Sequence, residues 1–387
     1  MIKLVKSSFY RESETKRALA EFVLSQDILS MNAQCRAFET AFAARQERRF
    51  AVFVTNGSVA NLLLLQALLN QGRLTRGARV GFSALTWPTN VMPLIQLGLE
   101  PVAIDCELDT LNVSPESIDP HLSGLQAVFL TNVLGFSDDL AAVRKMCDDR
   151  GVLLIEDNCE ALGSRMGGTL LGNHGLASTF SFFVGHHMST IEGGMVCTDD
   201  EELHAQLRMS RAHGWDRDLD PARQREQRAG AGVDDFYARY TFYDLASNFR
   251  PTEINGFIGN RQIGYWDEIV GRREANFRRY HEAMSDNKDF YTYDLTHMDT
   301  VSNFCMPLVC RTAELARSYR AAFERADVEI RPVIAGDIPR QPFYRKYFKD
   351  TTTRPNAHLV HTNGFYFGNN PELTEQELTV LCELLAG

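Results

Sequence analysis

Apolar residues recur every three or four positions over residues 12–26 and 32–46, placing Leu19, Phe22 and Val23, then Phe38, Phe42 and Ala43, on single faces. That period predicts two amphipathic helices. The pattern then changes to short unbroken apolar runs. Residues 50–55 read as a buried strand, followed by a turn at Asn56, Gly57 and Ser58 and a helix from Val59. Further strands are predicted at 79–83, 101–105, 125–130, 152–156, 179–184 and 194–198, with helices over 138–150 and 200–212. A continuous apolar strand that ends in carboxylates, here Glu156 and Asp157, fits a parallel sheet whose strand tips face a crevice.

The rest of the chain reads differently. Residues 216–240 are dense in charge and are expected to form a solvated, mobile loop. A long helix from about 252 to 285, with Trp266, Ile269 and Phe277 on its apolar positions, is expected to link two domains. Beyond it the pattern predicts a smaller α+β unit. Its parts are a strand at 304–310, a helix over 312–326, a loop through Tyr344, a strand near 363–367 and a helix from 374. The expected division is residues 1–262 and 263–387.

Composition narrows the function classes. With 387 residues, 44% hydrophobic and 23% charged, the chain can bury a large core. A net charge of −10 argues against nucleic acid or an anionic membrane surface as the main partner. No apolar run approaches the ~20 residues of a membrane span, and the first residues lack the apolar core of a signal peptide. Cytoplasm is the expected location. The eight cysteines are scattered without the close spacing of a zinc ribbon or redox motif, and the ten histidines show no ligand spacing. Buried reduced thiols are expected, with no metal and no iron–sulfur cluster.

Four stretches carry chemistry. The strand–turn–helix at Asn56, Gly57 and Ser58 can expose backbone N–H groups to an anion. Read without any family, it is an ordinary tight turn, Trp87 is core packing, and His186 is a buried turn histidine. Glu156 reads as an acid capping the next helix, whereas Asp157 sits at the strand tip. The run from Ser181 to Val196 holds His186, His187, Glu192, Gly193 and Gly194, whose glycines would let backbone approach a ligand closely. A fourth stretch holds Asn248, Phe249 and Arg250.

In this order the four motifs resemble those of the DegT/StrS-type sugar aminotransferases. The resemblance implies the aspartate aminotransferase fold: an α/β chain with a large αβα domain around a mainly parallel sheet, plus a smaller C-terminal α+β domain. It implies pyridoxal or pyridoxamine phosphate as cofactor, with Gly57, Ser58 and Ser181 at the phosphate and Trp87 stacked on the ring. Asp157 would hold the pyridine nitrogen protonated, making the ring an electron sink, and Glu160 would approach the ring hydroxyl. Asn248 would reach across a homodimer interface to the partner subunit's cofactor, although Ala246 and Ser247 stand where a tyrosine is usual. His213, Arg250 and Arg331 match positions near the substrate or the incoming amino acid.

One departure decides the activity. His186 occupies the position of the lysine that holds the cofactor aldehyde, and the following Glu192, Gly193 and Gly194 keep the register. The seven lysines stand at 3, 6, 16, 145, 288, 346 and 349, leaving the motif-bearing span after Lys145 without one. An imidazole cannot hold the aldehyde covalently but can move a proton near neutral pH. The resemblance therefore implies the family's sugar 3-dehydratases. Such an enzyme removes the carbon 3 hydroxyl of a nucleotide-linked 4-keto-6-deoxy sugar, here GDP-linked as in colitose formation, and regenerates pyridoxamine phosphate from L-glutamate. Two alternatives stay open: an aminotransferase that tolerates histidine, and a non-catalytic regulator binding cofactor or nucleotide sugar.

Overall fold

The computed structural model describes residues 1–387. Helices α1 (Glu12–Ser25) and α2 (Ala33–Arg45) precede strand β1 (Phe50–Val54). Then come α3 (Gly57–Asn70), β2 (Arg79–Ser83), α4 (Met92–Gln96) and β3 (Glu100–Ile104). These lead to α5 (Pro115–Leu122), β4 (Ala127–Thr131), α6 (Leu140–Arg150) and β5 (Leu153–Asp157). A small hairpin of β6 (Arg165–Met166) and β7 (Thr169–Leu170) intervenes before β8 (Ala177–Ser181) and β9 (Gly194–Thr198).

Seven of these strands form one sheet in the order β1-β9-β8-β5-β4-β2-β3. From β8 to β3 every pairing is parallel, and β9 alone runs antiparallel to both its neighbours. The apolar runs bury both faces, yet the two-residue period still sorts them. Phe129 and Ile155 face α3 residues Leu63, Leu64 and Leu68, whereas Val128, Leu130 and Leu154 pack with Ile118 of α5 and Val143 of α6. A third cluster sets Phe53, Phe180 and Phe182 against Phe38 and Phe42 of α2. The result is an αβα layering, as expected for an α/β chain.

Two expectations need correction after α7 (Glu201–Arg211). Residues 216–240 are not a plain loop, because they contain α8 (Pro221–Ala231). Asp220 caps it, accepting from the N–H groups of Ala222 and Arg223 at 3.0 and 3.1 Å, and Gly232 ends it at a φ of 65°. No residue of α8 is buried, so the charge density reported solvation correctly and backbone order wrongly. The expected long helix is also two helices, α9 (Glu253–Gln262) and α10 (Trp266–Met284), joined by a tight 3-10 turn over Ile263–Tyr265.

The remaining elements are β10 (Met298–Thr300), β11 (Cys305–Val309), α11 (Ala313–Arg325), β12 (Ile330–Arg331) and α12 (Pro342–Tyr347). They end with α13 (Pro355–Asn363), β13 (Gly364–Gly368) and α14 (Glu375–Ala386). Strands β11, β13 and β12 make an antiparallel sheet, and β10 joins the β6–β7 hairpin. Helix α12 was expected as loop and α13 was not anticipated; each opens on a proline, which suits the first helical turn because its missing N–H would have no partner there. The N-terminal residues join this sheet's edge: Ile2 bridges Val328, and the Leu4 N–H donates to Glu329 at 3.0 Å. All eight cysteines are free thiols, six of them buried.

Candidate active site

The parallel strands end on one side of the sheet, and a cavity of about 690 Å³ opens there. Gly57, Ser58, Trp87, Asp157, Glu160, Ser181, His186 and Arg331 all line it. These residues leave β1, β2, β5, β8 and β12, so the fold gathers at one crevice groups that span most of the sequence.

At its floor, Asn56 caps α3 by accepting from the Val59 N–H at 2.9 Å, which leaves the first N–H groups of the helix facing the cavity. Gly57 is required by contact: a Cβ there would lie 2.6 Å from the Ser181 Cβ. Gly194 likewise could carry no side chain, since its Cβ would stand 2.2 Å from the Asn56 carbonyl oxygen. Gly194 therefore brings β9 against the turn, Gly193 packs on Thr190, and neither lines the cavity, contrary to the expectation that they approach a ligand. Ser58 donates to the Thr89 hydroxyl at 3.2 Å.

Asp157 closes β5 and is 4% exposed. Its Oδ2 accepts from the amides of Asn61 at 2.9 Å and Asn90 at 2.8 Å, and its Oδ1 from the Cys159 N–H at 2.9 Å. Three neutral donors hold this carboxylate in place without supplying a counter-charge. Asn90 accepts in turn from Thr86 at 3.0 Å, and Thr86 pairs with Thr131 at 2.5 Å. Glu156 points the other way. It accepts from the N–H groups of Gly172, His174 and Gly175 at 2.7, 2.8 and 2.7 Å, so it shapes that loop instead of capping a helix.

Glu160 is buried and accepts from the Leu134 N–H at 2.8 Å. Burial pushes its pKa up to about 8, with the nearby Asp157 charge adding to the rise and the Leu134 bond opposing it. At neutral pH the group is largely a protonated acid, able to donate. Trp87, 52% exposed, stands above on the loop after β2.

His186 sits in the turn between β8 and β9, its N–H donating to the Phe183 carbonyl at 2.9 Å. Its ring lies 5.3 Å from that of Phe304, and its buried Nδ1 has no partner. Burial lowers its pKa to about 4, opposed by a hydrogen-bonding contact with the Ser181 main chain and by the Asp157 charge, with Arg273 adding least, on the side of the fall. The imidazole is thus neutral near pH 7 and free to accept a proton. No lysine lines the cavity. His187 faces away, its Nε2 bonded to the Ser302 carbonyl at 2.8 Å. Arg331 is exposed and paired with Glu329.

Three expected site residues lie outside the cavity. Asn248 is exposed, with its Oδ1 accepting from Arg250 Nε at 3.0 Å. His213 and Arg250 both pack against Trp215, at 4.9 Å between rings and 5.5 Å from guanidinium to ring. This group adjoins the exposed Phe242. The main chain around it still runs beside the sheet end, where the Thr55 N–H donates to the Phe249 carbonyl at 3.2 Å.

Sequence reasoning missed Asn61, Asn90, Phe304 and Tyr366. Asn61 carried a usable signal, because four residues after Gly57 it falls on the same helix face. Asn90 follows Trp87 in the same loop. Phe304 and Tyr366 come from β-strand regions far along the chain and gave none.

The donor set fits pyridoxal or pyridoxamine phosphate. Helix N–H groups and serines suit a phosphate, Asp157 suits a protonated ring nitrogen, and Glu160 as an acid suits a phenolate oxygen. The comparisons agree. The profile of the DegT/DnrJ/EryC1/StrS aminotransferase family matches residues 10–386. The chain is 30% identical over 369 residues to GDP-4-keto-6-deoxy-D-mannose 3-dehydratase of Escherichia coli O55:H7, covering 94% of each. It is 29% identical to the enzyme of that name from Yersinia pseudotuberculosis, covering 92% of this chain and 91% of the other. A crystal structure of GDP-4-keto-6-deoxymannose-3-dehydratase with a trapped pyridoxal phosphate–glutamate geminal diamine superposes with a TM-score of 0.91, at 29% identity and full coverage of both chains. The large, mainly parallel sheet, the cavity at its strand ends and the ordered motifs thus converge: the chain belongs to the DegT/DnrJ/EryC1/StrS aminotransferase family.

Proposed function

We propose that the protein is a pyridoxamine phosphate-dependent 3-dehydratase of GDP-4-keto-6-deoxy-D-mannose, with L-glutamate restoring the amine form of the cofactor. The observation that carries this reading is His186 in a cavity that no lysine lines. The bound cofactor supplies an amino group for the 4-keto carbon and a ring that takes up electron density.

The chain's residues do the rest. Asp157, held by Asn61 and Asn90, keeps the proton on the ring nitrogen. His186, neutral at rest, accepts a proton at its imidazole and returns it to the carbon 3 hydroxyl as that group leaves. Glu160 would donate to the ring oxygen, Trp87 would cover the ring, and Gly57, Ser58 and Ser181 would hold the phosphate.

Asn248, with His213 and Arg250, acts in this reading on the partner subunit's site within a homodimer. Support comes from the exposed apolar side chains in the stretch just before it, Phe236, Tyr237, Tyr240, Phe242 and Leu245, which a partner would cover. The division into a cofactor-binding part, residues 1–262, and a smaller part, 263–387, is proposed with it. No helix is long and apolar enough to cross a membrane.

The test is a single incubation of protein, cofactor, glutamate and the GDP-linked ketosugar, assayed for ammonia and for the 3-deoxy product. The dehydratase releases ammonia in step with product. His186→Asn should retain cofactor and lose ammonia release by on the order of a hundredfold or more. His186→Lys should trap the aldehyde as a new absorbance band and divert any product to an amino sugar. An amino sugar formed by the unaltered protein would overturn the reading.

A further inference from the structure

Arg273 stands on α10 with 3% exposure, and no carboxylate pairs with it. Burying a guanidinium without a counter-charge is costly unless its hydrogen bonds are well used. All of its hydrogen bonds end on main-chain carbonyls. It donates to Asn303 and Phe304 at 3.4 Å each, to Asn369, and through Nη2 to His186 at 3.3 Å. Its Nε has no partner.

Those carbonyls belong to three chain segments that meet behind the cavity. Asn369 locks the junction by donating to the Arg273 carbonyl at 2.9 Å and to Asn303 Oδ1 at 2.6 Å. His186 lies in no regular element, so nothing in a helix or strand ladder fixes its main chain. Phe304, the ring its imidazole rests against, also lines the cavity. One guanidinium therefore sets both the peptide that carries the imidazole and the aromatic surface beside it.

We infer that Arg273 is the positioning residue for His186: by holding the His186 and Phe304 carbonyls together it fixes the imidazole's place over the cavity. The inference rests on the role proposed for His186 above. The charged and titratable groups acting on that ring are Asp157 from β5, Arg273 from α10 and His187 on the same turn. Glu160, Glu192, Glu329 and Arg331 line the same cavity. Burial disfavours the imidazolium most, the Ser181 main chain and Asp157 favour it, and Arg273 disfavours it.

The test compares Arg273→Gln and Arg273→Lys with the unaltered full-length chain. Histidine proton resonances are followed by NMR from pH 8 to 4 without cofactor, with His186→Asn identifying the signal. Turnover per folded protein is measured with cofactor. In Arg273→Gln the His186 midpoint should rise, and turnover should fall by at least about tenfold at unchanged KM. Arg273→Lys keeps the charge but cannot span the carbonyls, so its midpoint should stay near that of the unaltered chain while turnover falls. A strut without influence on the imidazole would leave the midpoint in place in both variants, and that result overturns the inference. So does turnover within about twofold in Arg273→Lys, which decides the matter if the Gln variant does not fold. Lack of turnover in the unaltered protein would count against the dehydratase reading alone, because the NMR midpoint is read without substrate.

Discussion

Glu160 and Asp157 are neighbouring carboxyls with opposite surroundings. Asp157 receives three hydrogen bonds, whereas Glu160 receives one and is otherwise enclosed. Separation of two acids by environment is a recurrent way to obtain one anion and one proton donor. It has a consequence for stability. Glu160 has a folded pKa near 8 against an ordinary value of 4.5, so the folded chain holds a proton that the unfolded chain releases between those values. Stability is therefore full below about pH 4.5 and declines as pH rises toward 8, by about 1.4 kcal/mol per unit at most. Glu160→Gln keeps an acceptor for the Leu134 N–H and lacks that titration. Cofactor-free Glu160→Gln should melt progressively higher than the unaltered protein as pH goes from 5 to 9. The lowered histidines act at the acid end and are common to both proteins, so they cancel in the difference. Parallel melting curves across that range would show that Glu160 is ionised in the fold.

Among the elements, the turn from β1 into α3 matters most. It is squeezed between β8 and β9, with Ser181 against Gly57 and the Asn56 carbonyl against Gly194. A single added methyl at Gly57 must move the turn or Ser181, because the contact is Cβ to Cβ at 2.6 Å. Gly57→Ala should cost about 1–3 kcal/mol in stability. It should weaken cofactor retention far more, because the helix N–H groups and Ser181 shift together. Equilibrium dialysis with pyridoxal phosphate beside a denaturant melt separates the two effects. Helix α8 shows the opposite balance, since it buries nothing and is held by its Asp220 cap and by ion pairs from Arg223 to Glu201 and Glu202.

For the whole molecule, the decisive matter is whether one chain holds a complete site. Asn248 lies outside its own cavity, and the aromatics Phe236, Tyr237, Tyr240 and Phe242 in the preceding stretch are exposed. In the dimeric reading, His186→Asn and Asn248→Ala subunits repair each other. A mixed dimer has one site with both residues intact and one with neither. Unfolding, mixing and refolding two inactive variants should thus recover about a quarter of full ammonia-releasing activity, as half the dimers are mixed and half their sites intact. No recovery, with mixed dimers demonstrated by tag pull-down, would place Asn248 in its own subunit's service or in none.

Much of this was legible along the chain because the information was local. Unbroken apolar runs and the 3.6-residue period marked nearly every large-sheet strand and major helix, since burial of two faces or of one stripe leaves its mark on neighbouring residues. The histidine in place of a lysine was equally a local fact, and it carries the functional reading. What the chain alone left open depends on distant segments. Charge density reports contact with water and is silent on backbone order, so α8 was missed. The adjacency of Glu156 and Asp157 sends them to opposite sides of the strand without saying which faces the crevice; the loop at 172–175 decides it by claiming Glu156. Arg273 joins residues 186, 303, 304 and 369, a meeting that no spacing encodes, because only the fold brings those carbonyls within reach of α10. The sequence by itself determined the layers and the type of base; the tertiary structure decided which acid stays protonated and what holds the base in place, because both depend on burial and on partners remote in the chain.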